Sequence, residues 1–223
     1  MIEINNDFGI HSVVENIKND VPFAFSRFGD GEWNAILNLR GPHQANINGE
    51  QNYWDDLRAA LRDVLLKKPD YILGLQGLAN RTQGEKIEKF LLENDLIFDW
   101  VNSDIFHHAS IKGYLKPFID VVKGKNIIVV GPEYLESLSL FSFFPYYVPE
   151  KNAWLEYDKI LFDLLELTKT GKGIMLFCAG MTTNVLISNL WAINKQWTYI
   201  DAGSVFDPYA GRQTRSYHKD LKL

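Results

Sequence analysis

Residues 173–193 read GIMLFCAGMTTNVLISNLWAI. Residues 173–180 are apolar almost throughout, without the alternation of a strand that has one wet face. Such a run marks a strand buried on both sides. The glycine at 180 breaks it, and apolar residues then recur at helical spacing over 182–193. The unit is strand, turn, helix. The run NIIVVG at 126–131 is a second buried strand of the same kind. Working outward, strands are predicted over 22–28, 71–75, 100–101, 126–131, 146–149, 173–180 and 197–203. Helices are predicted over 10–17, 33–39, 53–66, 82–94, 111–122, 134–140, 154–167 and 182–193. Thr82 and Glu85 have the spacing of a capping box, and the polar run at 41–51 reads as a loop. Strands alternating with helices predict an α/β chain, a mostly parallel sheet with helices on both faces.

The bulk properties bound the rest. A chain of 223 residues without repeats or low-complexity linkers fits a single domain, 1–223. Hydrophobic residues are 46% and charged residues 23%, so disorder is not signalled. The net charge of -5 argues against a general affinity for nucleic-acid backbone. A lone cysteine, Cys178, allows no disulfide within the chain and fits a reducing compartment. The N-terminal residues lack the layout of a signal peptide, and no apolar run approaches the ~20 residues of a membrane span. The expected location is cytoplasmic. The sequence is compatible with a homo-oligomer and does not specify one.

In parallel α/β sheets, ligands bind beyond the carboxyl ends of the strands. Those ends carry Arg27-Phe-Gly29-Asp30-Gly-Glu32, Gly74-Leu-Gln76-Gly77, Gly131-Pro132-Glu133, Gly180-Met-Thr182-Thr183-Asn184 and Asp201-Ala-Gly203-Ser204. Glycine lets a ligand approach the backbone, and a helix N-terminus offers free N–H groups to phosphate. Gly180 and Thr182 therefore form a candidate phosphate cradle. On the plainer reading, Gly180 makes a turn and Thr182 caps a helix. Neither G-x-G-x-x-G nor a P-loop is present, which removes the main support for dinucleotide oxidoreductases and Walker NTPases.

Asp30 and Glu32 stand one residue apart on a glycine-loosened turn. Two carboxylates so placed can direct oxygens to one hard cation, and Mg²⁺ or Mn²⁺ is commonly held by one or two carboxylates plus substrate phosphates. Arg27 could form a fork with a phosphate. Equally, Asp30 could cap the following helix, Glu32 could favour its first turn, and Arg27 could pair with either. Both readings stand at this level.

After the last strand comes DAGSVFDPYAGRQTRSYHKD, residues 201–220, with Asp201, Ser204, Asp207, Arg212, Arg215, Tyr217 and His218. We read 203–223 as a flap over the site rather than a frayed end. His43 and Gln44 are weaker candidates for lining it. His107 and His108 adjoin, and adjacent helical residues do not face the same way, so a zinc pair is not expected. Cys178 is expected in the core. Ser204 lacks the context of a nucleophile elbow.

Two of these segments carry a resemblance. SRFGDGEWNAI (26–36) resembles the opening motif of the GT-D type of glycosyltransferase, Arg-x-Gly-Asp-Gly-Glu with its Asp-x-Glu metal pair. IDAGSVFDPYAGRQTRSY (200–217) is similar to that family's closing Asp-x-Gly-Ser segment and following arginine. The stretch 44–117 matches only in its pattern of elements. The resemblance implies a Rossmann-like fold and transfer of a sugar from a nucleotide sugar, a UDP-sugar by analogy with relatives. It implies Mn²⁺ or Mg²⁺ on Asp30 and Glu32 at the donor diphosphate. The donor-binding set is then Arg27, Gly29, Gly180, Thr182, Asp201, Ser204, Arg212 and Arg215. Glu32, Asp207 and His218 are the candidates for acid–base work on a glycan, lipid-linked or protein acceptor. Two other functions fit the same residues: a metal-dependent nucleotide phosphohydrolase, and a nucleotide-sugar-binding module without catalysis.

Overall fold

The computed structural model describes residues 2–39, 52–76, 81–215 and 218–219. Eight parallel strands form one sheet: β1 (Ile4–Asn5), β2 (Ala24–Phe28), β3 (Ile72–Leu75), β4 (Trp100–Asn102), β5 (Ile127–Gly131), β6 (Phe144–Tyr147), β7 (Ile174–Phe177) and β8 (Thr198–Asp201). Their order across the sheet is β1-β4-β3-β2-β8-β7-β5-β6. The helices are α1 (Ile10–Lys18), α2 (Asp30–Ile36), α3 (Asp55–Leu66), α4 (Arg81–Glu93), α5 (Ile105–Ile111), α6 (Lys116–Val122), α7 (Tyr157–Thr168) and α8 (Thr182–Ile193).

The apolar runs explain the layering. All five residues of β5 are buried, and their side chains divide between two faces. Ile127 and Val129 join Ile174, Leu176 and Ile200 beneath α1, α5 and α6. Ile128 and Val130 join Met175, Phe177 and Tyr199 beneath α7 and α8. On that second face, the other half of the sheet meets α2, α3 and α4, with Phe28, Trp33, Leu61, Leu75, Phe90 and Trp100 buried among them. Period 2 in the strands and periods of 3 and 4 in the helices thus converge on one buried sheet. Pro145 lies in β6, which pairs only with β5, so the missing N–H disrupts no inner ladder.

Several expected boundaries move. α2 begins at Asp30, ahead of the predicted Trp33, and α3 begins at Asp55. The helix expected over 111–122 is two helices. α5 ends at Ile111, Gly113 turns the chain with φ 75°, and Pro117 starts α6 at its second position. Residues Glu133–Ser137 form a 3₁₀ turn rather than a longer helix. The edge strand β1 was not foreseen; at two residues it is too short for periodicity to register. The loop at 41–51, His43, Gln44, Gly77 and Tyr217 lie outside the described residues, as does the side chain of Thr82. No helix among the described residues is long and apolar enough to cross a membrane.

The order of strands places the site. β2 and β8 are neighbours, with Ala24 beside Tyr199 and Phe25 beside Ile200. From β2 the sheet grows through β3 and β4 on one side. On the other it runs through β8, β7 and β5. A crevice opens beyond the carboxyl ends at such a reversal.

Candidate functional site

Beyond those carboxyl ends lies a cleft of about 750 Å³. Among its lining residues are Arg27, Gly29, Asp30, Glu32, Gly180, Asp201, Ser204, Asp207 and Arg215 from the sequence-based set. Thr182, Arg212 and His218 are not among them.

Arg27 is the hub. It is the penultimate residue of β2, its side chain is mostly buried, and it reaches across the strand ends. Its Nε donates to the Ser103 carbonyl at 2.7 Å, and one terminal nitrogen donates to Asp104 Oδ1 at 2.9 Å. The other terminal nitrogen stands 4.0 Å from Asp201 Oδ1. Burial opposes its charge, and Asp201 and Asp104 outweigh burial, so the guanidinium is held above its ordinary pKa. The sequence offered Arg27 as a phosphate fork or a local ion pair. In the structure its donors are engaged by the ends of β4 and β8, with Asp104 and Asp201 rather than Asp30 as partners.

Asp201 ends β8 beside it. Its carboxylate accepts from the backbone N–H of Arg27 at 3.2 Å and of Gly203 at 3.0 Å. Burial pushes its pKa up to about 6, against the pull of Arg27. The turn that follows depends on Gly203, whose φ is +57° and whose missing side chain makes room for the guanidinium: a Cβ there would stand 1.9 Å from an Arg27 nitrogen. Asn184, buried on α8, donates to the Arg27 carbonyl at 2.6 Å and ties that helix to the same point.

The Asp30-Gly-Glu32 turn is the start of α2. Gly29 is the N-cap in extended conformation, and Glu32, at the third helical position, accepts from the Gly29 N–H at 2.8 Å. Glu32 rather than Asp30 therefore supplies the cap bond. Burial and the nearby Asp201 push the Glu32 carboxyl up to about 7. Asp30 is exposed at the rim of the cleft. Among the described residues, no three His, Cys, Asp or Glu side chains converge as a metal cage. The donor set that does exist, Asp30 and the remaining oxygen of Glu32, fits a hard cation whose other ligands come from phosphate and water.

α8 begins at Thr182 after Gly180, whose φ is +61°. Its N-cap is Met181, and no side chain caps the helix, so Thr182 does not have the capping role the plainer reading gave it. Thr182 is buried, while Gly180 and Met181 face the cleft. Cys178 packs against the core as expected and also reaches the cleft wall, with burial raising its thiol well above the ordinary value.

The C-terminal segment is tied down by its own polar residues. Asp207 is buried; its carboxylate accepts from the Thr214 hydroxyl, and its carbonyl accepts from the Arg212 N–H at 2.8 Å. Burial raises its pKa. His218 Nδ1 accepts from the backbone N–H groups of Thr214 and Arg215, at 3.2 and 3.3 Å. Burial lowers its pKa to about 4, so the acceptor form persists at neutral pH. Arg212 stacks on the ring of Tyr134, which lines the cleft. These contacts place Thr214 and Arg215 on the cleft wall.

Asp104 and His107 line the cleft although sequence reading does not place them there; it considers His107 only as half of a zinc pair. Asp104 follows β4, and His107 lies one turn further along α5. The end of β4, Asn102-Ser103-Asp104, was the signal: it is a strand terminus with a carboxylate, followed by a histidine at helical spacing. His108 also touches the cleft from a more exposed position.

No protein-family model and no curated protein matches the chain in sequence. Its fold matches solved structures. A structure described as a new glycosyltransferase (DUF1792) from Streptococcus sanguinis aligns with TM-score 0.69 at 18% identity, covering 99% of this chain and 94% of that one. Another is described as showing that the highly conserved domain of unknown function 1792 has a distinct glycosyltransferase fold. It aligns with TM-score 0.67 at 23% identity, over 93% of this chain and 80% of that one. The likeness is one of fold, and it agrees with the resemblance carried by the two terminal motifs.

Proposed function

We propose that this chain is a glycosyltransferase that moves a sugar from a nucleotide-sugar donor, a UDP-sugar in the first instance, to a hydroxyl acceptor. The observation that carries this reading is the charge of the cleft. Asp30, Glu32, Asp104, Glu150, Asp201 and Asp207 line it against Arg27, Lys151 and Arg215. An excess of carboxylates repels a bare diphosphate. It accepts one that arrives with a divalent cation. The fold likeness, whose solved examples are described as glycosyltransferase folds, supports the same reading.

Asp30 and Glu32 would hold Mn²⁺ or Mg²⁺. When bound, the cation would supply neutralisation of the charge that develops on the leaving diphosphate. The chain's own groups do the rest. Arg27, locked by Asp104 and Asp201, presents a fixed positive charge at the centre of the cleft. The start of α8, which follows Gly180 and Met181 and has no side-chain cap, would offer backbone N–H groups to phosphate oxygens. Arg215 stands on the wall formed by the C-terminal segment. Glu32, tied to the Gly29 N–H, keeps the α2 turn fixed and would give its other oxygen to the cation.

The test is turnover of a panel of UDP-sugars with and without Mn²⁺, in wild type and Asp30→Ala. Metal-dependent release of UDP in wild type, reduced by about 10²-fold or more in the variant, is the expected result. Equal metal-dependent activity in both would remove the assignment. Rapid turnover that ignores every sugar, glycan and lipid acceptor would favour the phosphohydrolase.

A further inference from the structure

Asp104, His107 and Ser204 stand in line across the floor of the cleft. His107 Nε2 is 3.5 Å from Ser204 Oγ, and its Nδ1 is 3.9 Å from Asp104 Oδ1. His107 is 5% exposed, Ser204 is half-buried, and both line the cleft. The imidazole is deep and the hydroxyl is nearer the opening. The carboxylate behind is held on Arg27 at 2.9 Å, so the line rests on a fixed anchor.

We propose that His107 is the base for the acceptor, working through Ser204 and oriented by Asp104. This rests on the transferase reading above. Its geometric basis is the order of groups a proton relay requires: a hydroxyl at the substrate, a nitrogen behind it, and a carboxylate behind that. Separations of this kind are looser without substrate than in the reacting complex.

The other candidates have other work: Glu32 accepts the cap bond of α2 and is the proposed cation ligand. The Asp207 carboxylate accepts from Thr214, and His218 Nδ1 accepts two backbone N–H groups. Both groups hold the C-terminal segment in place. His107 lies on α5, reaches Ser204 in the turn after β8, and lines the cleft. Burial, and after it the neighbouring Arg27 charge, hold the imidazole neutral in the resting cleft.

The step balances as follows. The acceptor hydroxyl gives its proton to Ser204 Oγ while Ser204 gives its own to His107 Nε2. The acceptor oxygen bonds to the anomeric carbon, and the bond from that carbon to the diphosphate oxygen breaks, leaving the electron pair on the diphosphate. Imidazolium then returns its proton to solvent.

The experiment takes from a panel of UDP-, GDP- and dTDP-sugars the one that wild type turns over fastest with Mn²⁺. Water serves as the acceptor, and nucleotide affinity is followed by calorimetry. His107→Gln keeps a hydrogen-bonding group toward Ser204 but cannot accept a proton. Its kcat should fall by about 10²–10⁴-fold, with KM and nucleotide affinity within about threefold of wild type. His107→Ala should fall similarly and regain activity when imidazole is added. Retention of wild-type kcat by His107→Gln overturns the proposal and leaves the transferase reading standing, because it assigns His107 a purely structural part. A deficit in His107→Ala that imidazole does not relieve overturns it as well. If wild type neither binds nucleotide nor turns over any sugar, the transferase reading fails and takes this proposal with it.

Discussion

Gly203→Ala should be among the most damaging single-methyl changes in this protein. Two costs add. The residue sits at φ +57°, a left-handed conformation that costs a non-glycine residue about 1–2 kcal/mol. The new methyl would also stand 1.9 Å from an Arg27 nitrogen, and the guanidinium cannot simply swing aside. Its Nε is bound to the Ser103 carbonyl and its other terminal nitrogen to Asp104. Displacing it gives up at least one charge-assisted hydrogen bond, about 1.5–3 kcal/mol each. The sum is roughly 2.5–5 kcal/mol, or a fall in Tm of about 5–20 °C for a chain of this size. Gly171→Ala is the control: φ there is +76°, but nothing lies within 4 Å of the added carbon. It should carry only the backbone cost. Urea and thermal unfolding of the two variants measure the difference. If they lose stability within about 1 kcal/mol of one another, the Arg27 clash contributes nothing and the reasoning fails.

Asn184→Leu removes the donor that reaches the Arg27 carbonyl and should cost about 1–3 kcal/mol by urea unfolding, since the carbonyl is left in a buried place. No measurable loss would mean that the bond to β2 is dispensable. The His218 pKa lies near 4 in the fold against about 6.5 in the unfolded chain, so its contribution is fully present above pH 6.5. It is lost as pH falls from 6.5 toward 4, because only the unfolded state takes up the proton. His218→Asn, which keeps a hydrogen-bond acceptor near Nδ1 but does not titrate, should show a shallower fall of the urea midpoint between pH 7 and pH 4.5. Parallel curves would count against the buried neutral imidazole.

The strands were legible because burial on both faces leaves a plain record. IIVVG and IMLF admit no polar residue, and the sheet covers them with helices on each side. Helix ends were less legible. Trp33 looked like the start of α2 because it is the first apolar residue, while the actual start depends on a bond from the Gly29 N–H to Glu32. The split between α5 and α6 turned on one glycine with positive φ, whose conformation apolar spacing does not encode. At the site, Asp30, Glu32, Asp201 and Ser204 could be found because they follow strong strands. Asp104 and His107 follow β4, which has only three residues and a weak pattern. The tie between Arg27 and Asp201 was invisible for another reason: the two are 174 residues apart, and only the adjacency of β2 and β8 brings them together.

That adjacency also sets a schedule for the growing polypeptide. β2 is made before β8, one of its two neighbours, which follows more than 170 residues later. At about 5–20 residues per second, the wait is roughly 10–35 s. Throughout it, β2 presents an unpaired inner edge of apolar sequence, AFSRF, built for burial. β7 leaves a second vacant slot on the other half until β8 arrives. Two open edges of one parallel sheet are templates for pairing with the wrong chain. The two half-sheets join only when that strand is complete, and the cleft beyond β2 and β8 forms only at that closure.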